Sequence, residues 1–180
     1  MPKSKNIHEV SKLIEKGEAV ILPTETVYGI GCRYDCQDSI DRIFYLKERN
    51  INKPITLHIT KAMLSIFDID KKILELAYRI FPGPFTLIVK SNKKAGFHSK
   101  SEYTGKIGIR IPENKIFQNV IEKVGVPFCM SSANISNQET PILFENIPFD
   151  IEGINDDRNI RGSSSLIIDA SQESASCKRI

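Results

Sequence analysis

Three segments of the chain combine side chains that could bind a small, negatively charged ligand. The loop Thr24–Gly31 carries hydroxyl groups and glycines, and Ser131–Asn134 follows a short apolar run with two hydroxyls and an amide. Between them, Lys47, Arg49 and Lys53 place three cations within seven residues. Such cations repel one another unless an anion neutralises them. Arginine can bind two phosphate oxygens at once through bidentate hydrogen bonds, and lysine supplies a point charge. Together the three segments predict a phosphate-binding site.

A single arginine in an apolar strand pattern, Arg110, adds a group that suits a carboxylate. Cations, hydroxyls and this arginine together suit a small zwitterion beside a polyphosphate. Each feature also has a structural interpretation when it is taken alone. The loop could be a tight turn, Lys47 could lie in a solvated helix end, and Ser131–Asn134 could cap a helix. Arg110 could form a structural ion pair, and His58 could be a packed, hydrogen-bonded histidine.

Several other site types do not fit the sequence. No Gly-x4-Gly-Lys-Ser/Thr motif is present, which excludes an ordinary P-loop, and no Gly-x-Ser-x-Gly elbow frames Ser132 as a hydrolase nucleophile. We expect no protein-bound metal, because the three histidines are scattered and the cysteines lack a second ligand pair. We expect the cysteines to be reduced thiols in the cytosol; they are Cys32, Cys36, Cys129 and Cys177.

The composition is that of a globular domain. The chain has 180 residues, 41% hydrophobic and 26% charged, so we expect one domain over residues 1–180 with a substantial core. The net charge of +3 permits a local basic patch but does not by itself indicate nucleic-acid binding. No apolar run approaches the ~20 residues that span a membrane, and the first residues do not read as a signal peptide.

Helical and strand-like patterns alternate along the chain, which predicts an α/β fold. Asn6 and Asp38 are the predicted caps of the first two helices, and Gly17 is predicted to end the first. Helices are predicted around residues 7–14, 40–46, 73–81 and 116–124. Strands are predicted at 19–22, 55–59, 85–89, 106–112, 127–130, 166–168 and 177–180. Loops are predicted at 24–31, 91–104 and 137–163. Because no helix separates 85–90 from 107–111, we expect a mixed sheet.

Short motifs spread through the chain resemble one known family. Pro23-Thr24-Glu25-Thr26-Val27-Tyr28-Gly29-Ile30-Gly31 resembles the PTxTxYGLG signature of the YrdC/TsaC family, the threonylcarbamoyl-AMP synthases. Lys47-Glu48-Arg49 matches its KxR motif, with Lys53-Pro54-Ile55 and His58 behind it. In the same order follow counterparts of WPGPxT, GxRxP, SANxS, STIVD and the late arginine; they are 81–86, 108–112, 132–136, 165–169 and Arg179. The resemblance covers roughly residues 7–180.

The sequence departs from the family pattern at a few positions. Asn50 replaces a proline after KxR, and Leu166 replaces the threonine of STIVD. Asn137 stands where the family has glycine, and asparagine tolerates a left-handed backbone better than most residues. The chain ends at Ile180 without the usual Pro-Gly, and it resembles the short, single-domain form of the family.

The resemblance implies a twisted mixed parallel and antiparallel sheet with flanking helices and a concave basic site. It also implies a cytoplasmic nucleotidyltransferase that forms L-threonylcarbamoyladenylate and pyrophosphate from L-threonine, bicarbonate and ATP. The product would feed the t6A modification of tRNA position 37 through downstream transferase proteins. Mg²⁺ would accompany ATP, with no other cofactor and no metal site in the protein.

The resemblance further implies roles for individual residues. L-threonine would be bound by Thr26, His58, Arg110, Ser131 and Ser165. ATP would be bound by Lys47, Arg49, Lys53, Lys106, Ser132, Ala133, Asn134, Thr140 and Arg179. Catalysis, mostly by orienting the substrates, would depend on Lys47, Arg49, Ser132 and Asn134.

Two alternatives remain open at the sequence level. The chain could be a non-catalytic module for tRNA or double-stranded RNA, with phosphate contacts that explain the cations. It could also correspond to the related domain of hydrogenase-maturation carbamoyltransferases, which uses carbamoyl phosphate. That domain normally occurs with acylphosphatase and zinc-finger modules, for which these 180 residues leave no room.

Overall fold

Helices and strands intermix in a computed structural model that describes residues 1–67, 69–91, 102–103, 105–171 and 176–178. The helices are α1 (Ile7–Glu15), α2 (Gln37–Leu46), α3 (Lys71–Ile80) and α4 (Lys115–Val124). The strands are β1 (Lys3–Ser4), β2 (Val20–Leu22), β3 (Gly29–Arg33), β4 (Thr56–His58), β5 (Phe85–Lys90), β6 (Glu102–Tyr103), β7 (Lys106–Arg110), β8 (Phe128–Ser132), β9 (Glu152–Gly153), β10 (Leu166–Asp169) and β11 (Ser176–Lys178). Within the described residues, three short 3-10 helices occupy Lys61–Ile66, Phe144–Asn146 and Asp157–Asn159.

All the strands belong to one mixed sheet in the order β1-β9-β2-β3-β8-β4-β7-β5-β10-β11, with β6 paired to β7. The pairs β1–β9, β9–β2, β4–β7 and β5–β10 are parallel, and the other pairs are antiparallel. Leu87 of β5 lies opposite Ile109 of β7 in an antiparallel register. The predicted α/β class and mixed sheet are therefore confirmed.

The central strands bury side chains on both faces of the sheet. In β2, Val20 and Leu22 pack against α1 and α4, whereas Ile21 packs on the opposite side with α2 and α3. The strand β8 alternates in the same way. On the α2/α3 side the core also takes Leu57, Leu87, Val89, Ile107 and Ile109 from β4, β5 and β7. The alternate side chains of these three strands consequently face the other way, and they are important for the site.

The ends of the helices follow local hydrogen-bonding chemistry. Asn6 forms a capping box with Glu9 at the start of α1, as predicted. The predicted cap Asp38 is wrong: α2 begins at Gln37 after Cys36, and Asp38 lies in its first turn. The thiol of Cys36 and the hydroxyl of Ser39 both donate to the carbonyl oxygen of Gly17, which anchors this turn without a carboxylate cap.

The predicted loop 24–31 is only partly a loop, because Gly29–Arg33 forms strand β3. A Cβ atom on Gly31 would lie 2.7 Å from the carbonyl oxygen of Cys129 and would overlap the sulfur of Met130. The glycine therefore accommodates the Met130 side chain of the neighbouring strand. The sequence suggested instead that the glycines of this segment allow a ligand to approach the backbone.

Two predicted segments fall largely beyond the part of the chain that the structure describes. These are the loop 91–104, of which 92–101 and 104 lie outside it, and the strand 177–180, of which 177 and 178 are seen within β11 and 179–180 lie outside it. Among the described residues, the helices are too short and too polar to cross a lipid bilayer.

Candidate active site

A cleft of about 610 Å³ lies on the face of the sheet rather than beyond the ends of its strands. Its floor consists of the alternate residues of four strands that do not point into the α2/α3 core. These residues are Thr56 and His58 of β4, Thr86 and Ile88 of β5, Lys106, Gly108 and Arg110 of β7, and Ile167 of β10. The walls come from the segments 24–29, 49–55, 130–132 and 164–165.

Eight of the predicted site residues line this cleft together. They are Arg49, Lys53, His58, Lys106, Arg110, Ser131, Ser132 and Ser165. Thr26 lies directly behind the wall, where it accepts a hydrogen bond from Arg110. Lys47, Ala133 and Asn134 lie behind Ser132, and Thr140 lines a separate, smaller cavity. Arg179 lies outside the described residues, so its predicted contact with the nucleotide stays a prediction.

The lining carries four cationic side chains and, among its described residues, no carboxylate. Arg49 donates to the carbonyl oxygens of Lys53 and Pro54 at 3.0 and 2.7 Å, and its guanidinium lies 5.8 Å from the centre of the Phe44 ring. Within the described part of the chain, neither Arg49 nor Lys53 forms an ion pair. Lys106 differs, because its ammonium lies 3.3 Å from Asp169. Arg49 and Lys53 therefore bring uncompensated positive charge to the cleft.

Arg110 is already paired with a carboxylate of the protein. Its Nη2 atom donates to Glu25 at 2.8 Å and to Thr26 at 2.7 Å, and both side chains of the ion pair are more than 90% buried. The second oxygen of Glu25 accepts the Glu113 backbone N–H at 3.0 Å. The Nε atom of Arg110 is buried and has no partner among the described residues. The structural ion pair considered above is thus present, and it leaves part of the guanidinium free for a ligand.

His58 lies beside Arg110, since the two are register partners in the parallel pair β4–β7. Its ring is buried against Phe117, 5.5 Å between ring centres, and Nδ1 has no hydrogen-bond partner in the described structure. The pKa of His58 lies well below its usual value, mainly because the ring is buried and secondly because the positive charge of Arg110 is near. His58 is therefore neutral at pH 7 and can offer an acceptor and a donor, but no charge, to a ligand.

Lys47 does not line the cleft, although its neighbour Arg49 does. The Lys47 side chain is 1% exposed, and its ammonium donates to the carbonyl oxygens of Ser132 and Asn134 and, at 3.4 Å, to Oδ1 of Asn134. Burial, with a smaller effect from the charge of Arg49, lowers the pKa of Lys47 to about 7. When Lys47 is protonated, all three of its N–H donors point at the protein, which leaves none for a phosphate in this arrangement.

The Asn134 amide is likewise turned toward its own loop. Oδ1 accepts from the Ser132 hydroxyl, and Nδ2 donates to the carbonyl oxygens of Ile135 and Gln138 at 2.9 and 2.7 Å. Asn134 also borders a second cavity of about 370 Å³ that includes Thr140. Ala133 is buried and donates its backbone N–H to Tyr28.

Sequence reasoning missed two polar residues of this region, Glu25 and Thr86. Glu25 holds Arg110, and the Thr86 hydroxyl lies 2.8 Å from that of Ser165 across the parallel pair β5–β10. Each stands next to, or inside, a motif that was already singled out. For Glu25, the available signal was its position as a lone acidic residue between two threonines whose hydroxyls were predicted to bind a ligand.

Acidic groups for binding a metal are scarce near the cleft. No group of three or more His, Cys, Asp or Glu side chains in the described residues is arranged to hold a metal ion. Glu25 and Asp169 are the nearby carboxylates described above, and each already neutralises a cation of the cleft.

Comparisons with known proteins identify relatives over most of the chain. The family model Sua5_yciO_yrdC, described as telomere recombination, matches residues 12–179. The threonylcarbamoyl-AMP synthase of Vibrio campbellii is 28% identical over 148 residues, which cover 79% of this chain and 80% of that protein. The enzyme of the same name from Bacillus subtilis is 28% identical over 151 residues, covering 82% of this chain but 43% of the longer protein.

Among solved structures, the chain is similar to P. abyssi Sua5 complexed with L-threonine. The two superpose with a TM-score of 0.85 at 25% sequence identity, and the match covers 98% of this chain and 56% of that one. The similarity extends across the sheet that carries the cleft.

Proposed function

This chain belongs to the Sua5/YciO/YrdC family, and we propose that it is a threonylcarbamoyl-AMP synthase. Its substrates are L-threonine, bicarbonate and ATP, and its products are L-threonylcarbamoyladenylate and pyrophosphate, which makes it a nucleotidyltransferase. The adenylate serves the t6A modification of tRNA through a downstream transferase. The proposal includes a cytoplasmic location, where ATP, tRNA and reduced thiols are found together.

The observation that carries the proposal is the composition of one cleft. Four cations, of which Arg49 and Lys53 form no ion pair among the described residues, stand beside hydroxyl groups and a neutral histidine. Such cations bind polyanions. An arginine suits the carboxylate of an amino acid, and neutral hydrogen-bonding side chains suit its other polar groups. A volume of about 610 Å³ leaves room for both ligands in contact.

The reaction has two steps that this cleft can assist by orientation. The threonine amine, as the free base, first reacts with bicarbonate to give a carbamate and water. A carbamate oxygen then attacks the α-phosphorus of ATP, the bond to the β-phosphate oxygen breaks, and pyrophosphate leaves. Arg49, Lys53 and Lys106 neutralise charge on the phosphates, and the walls of the cleft shield the labile carbamate from decomposition.

The threonine end of the site is assigned to the groups around Arg110. The part of its guanidinium that Glu25 and Thr26 leave free takes the threonine carboxylate. His58, Ser131 and Ser165 offer neutral hydrogen-bonding groups in the same cleft. Mg²⁺ arrives with ATP as part of the substrate, since the nearby carboxylates already pair with cations.

The test is pyrophosphate release from ATP by the purified chain. We expect release only when L-threonine and bicarbonate are both present, and omission of either should reduce the rate to background. Arg49→Ala should abolish most of the activity while its circular dichroism spectrum stays that of the wild type. Release that ignores threonine, or binding of double-stranded RNA without any release, would contradict the assignment and favour the RNA-binding alternative.

A further inference from the structure

Lys47 and Arg49 are two residues apart, yet the backbone sends them to different places. The residue between them, Glu48, ends α2 with a left-handed φ of 50°. The Glu48 N–H donates to Tyr45 and the Arg49 N–H donates to Phe44, which is the hydrogen-bond pattern of a Schellman motif. The chain therefore reverses at Glu48, and Arg49 enters the lining of the cleft while Lys47 remains under it.

The surroundings of Lys47 belong to one short segment of chain. Its ammonium bonds to Ser132 and Asn134, and its own carbonyl oxygen accepts the N–H of Ser136 at 2.8 Å. Side chain and backbone thus hold the segment 132–136 at three points. Asn134 closes the same segment from within through the bonds described above. The segment follows directly on Ser131 and Ser132, which both line the cleft.

We infer that Lys47 is a positioning residue whose ammonium fixes the segment 132–136 from beneath, so that Ser131 and Ser132 meet the ligands, and that it makes no phosphate contact itself. This inference deepens the proposed function and rests on it for the identity of the ligands. A buried ammonium with three oxygen acceptors suits such a role, because removing it takes a donor from one buried and one partly buried carbonyl oxygen. Arg49, in contrast, contacts phosphate directly.

The first experiment needs no variant. The wild-type chain is treated with acetic anhydride, and acetylation of each lysine is measured by mass spectrometry with and without inorganic pyrophosphate. Lys47 should stay unmodified in both conditions, whereas Lys53, exposed at the cleft, should be acetylated in the free protein and protected by pyrophosphate. Free reactivity of Lys47 that pyrophosphate suppresses would overturn the inference.

The second experiment compares Lys47→Met with the matched variant Arg49→Met. Calorimetry measures the Kd of L-threonine and of pyrophosphate, and hydrogen exchange follows the amides of Ala133 and Ser136. Lys47→Met should weaken both ligands by similar factors, about tenfold, and speed exchange at both amides at least about tenfold. Arg49→Met should weaken pyrophosphate alone and leave exchange unchanged.

The outcomes separate the possibilities. Loss of pyrophosphate affinity alone in Lys47→Met, with unchanged exchange, would assign Lys47 to phosphate binding and refute the positioning role. Unchanged affinities for both ligands would refute it as well. If Lys47→Met does not fold, Lys47→Gln, whose amide keeps two N–H donors, takes its place. If wild type binds no threonine, the proposed function fails, while acetylation and exchange still decide where Lys47 lies and what it holds.

Discussion

Arg110 and Glu25 form a buried ion pair in a cleft that is otherwise cationic. Taking two charges out of water is costly, and the pair offsets that cost only while both partners are present. Glu25 also accepts the backbone N–H of Glu113, so one carboxylate ties the loop after β2 to the end of β7. At the scale of single residues, Arg110 thus has two functions: its Nη2 amino group serves the fold, and the rest of the guanidinium is left for a ligand.

The pair predicts a non-additive effect on stability. Arg110→Met leaves the Glu25 carboxylate buried and unpaired, and we expect the free energy of unfolding to fall by about 3–5 kcal/mol. Adding Glu25→Gln removes the unpaired charge and should recover at least about 1 kcal/mol of that loss. Urea denaturation of both single variants and the double variant at pH 7 provides the measurement. A double variant less stable than Arg110→Met would show that the pair is not the source of the loss.

His58 predicts a dependence of stability on pH. Because its folded-state pKa lies well below 6.5, the unfolded chain takes up a proton first as the pH falls. The stability associated with neutral His58 is complete above about pH 6.5 and is lost below it, by at most about 1.4 kcal/mol per pH unit. Urea denaturation from pH 7.5 to about pH 5 should show a shallower loss for His58→Gln than for wild type. His8→Gln, at the exposed start of α1, is the matched control for the loss of a histidine side chain.

Residue types alone indicated which side chains would lie near the binding site, but not the direction of each side chain. Lys47, Arg49 and Lys53 were predicted as a group from their charges. The reversal at Glu48 separates Lys47 from the other two, and no propensity favours glutamate in a left-handed conformation. The direction of Lys47 could therefore not have been predicted from the sequence.

At the scale of secondary-structure elements, the ends of α2 and α4 make a contrasting pair. Helix α4 ends at Gly125 with a φ of 77°, the usual residue for this position. Helix α2 uses Glu48 for the same backbone conformation, which a side chain with Cβ disfavours by about 1 kcal/mol. The motif at α2 is thus built with some strain, next to the residues that line the cleft.

Exchanging the two residue types should move stability in opposite directions. We expect Glu48→Gly to raise the free energy of unfolding by about 0.5–1 kcal/mol and Gly125→Ala to lower it by about 1 kcal/mol. A Cβ on Gly125 would meet no other atom within 4 Å, so its cost comes from backbone conformation alone. Thermal and urea denaturation provide the measurement. The same sign of change in both variants would contradict this explanation.

Elements with regular periodicity were predicted correctly, whereas β3 was not. The helices α1, α2, α3 and α4 were visible as apolar residues at helical spacing, and β2, β4, β5, β7, β8 and β10 as apolar runs or alternation. In β3, two glycines resemble a turn, and the reason for them is the Met130 side chain on a strand about 100 residues later in the sequence. Asn137 is the opposite case: its φ of 67° confirms the left-handed backbone predicted from the family's glycine.

At the scale of the whole molecule, the site depends on how the sheet is covered. Helices α1 and α4 cover one face beside β2 and β8, while α2 and α3 cover the other. Where the first face is left open, β4, β5, β7 and β10 present polar side chains. Motifs far apart in sequence therefore meet because they occupy alternate positions of neighbouring strands. The sequence placed them after strand ends, because periodicity does not reveal which face of a strand remains uncovered.

This arrangement concentrates positive potential in one place although the net charge is only +3. Salt should therefore discriminate between the two ligands. Raising the ionic strength from about 0.1 M to about 1 M shortens the screening length from ~10 Å to ~3 Å, and it should weaken pyrophosphate at least about tenfold but zwitterionic L-threonine less than about twofold. Calorimetry in potassium chloride measures both, and Lys53→Gln should flatten the dependence for pyrophosphate. Equal weakening of both ligands would mean that the cleft does not bind the polyanion through these cations.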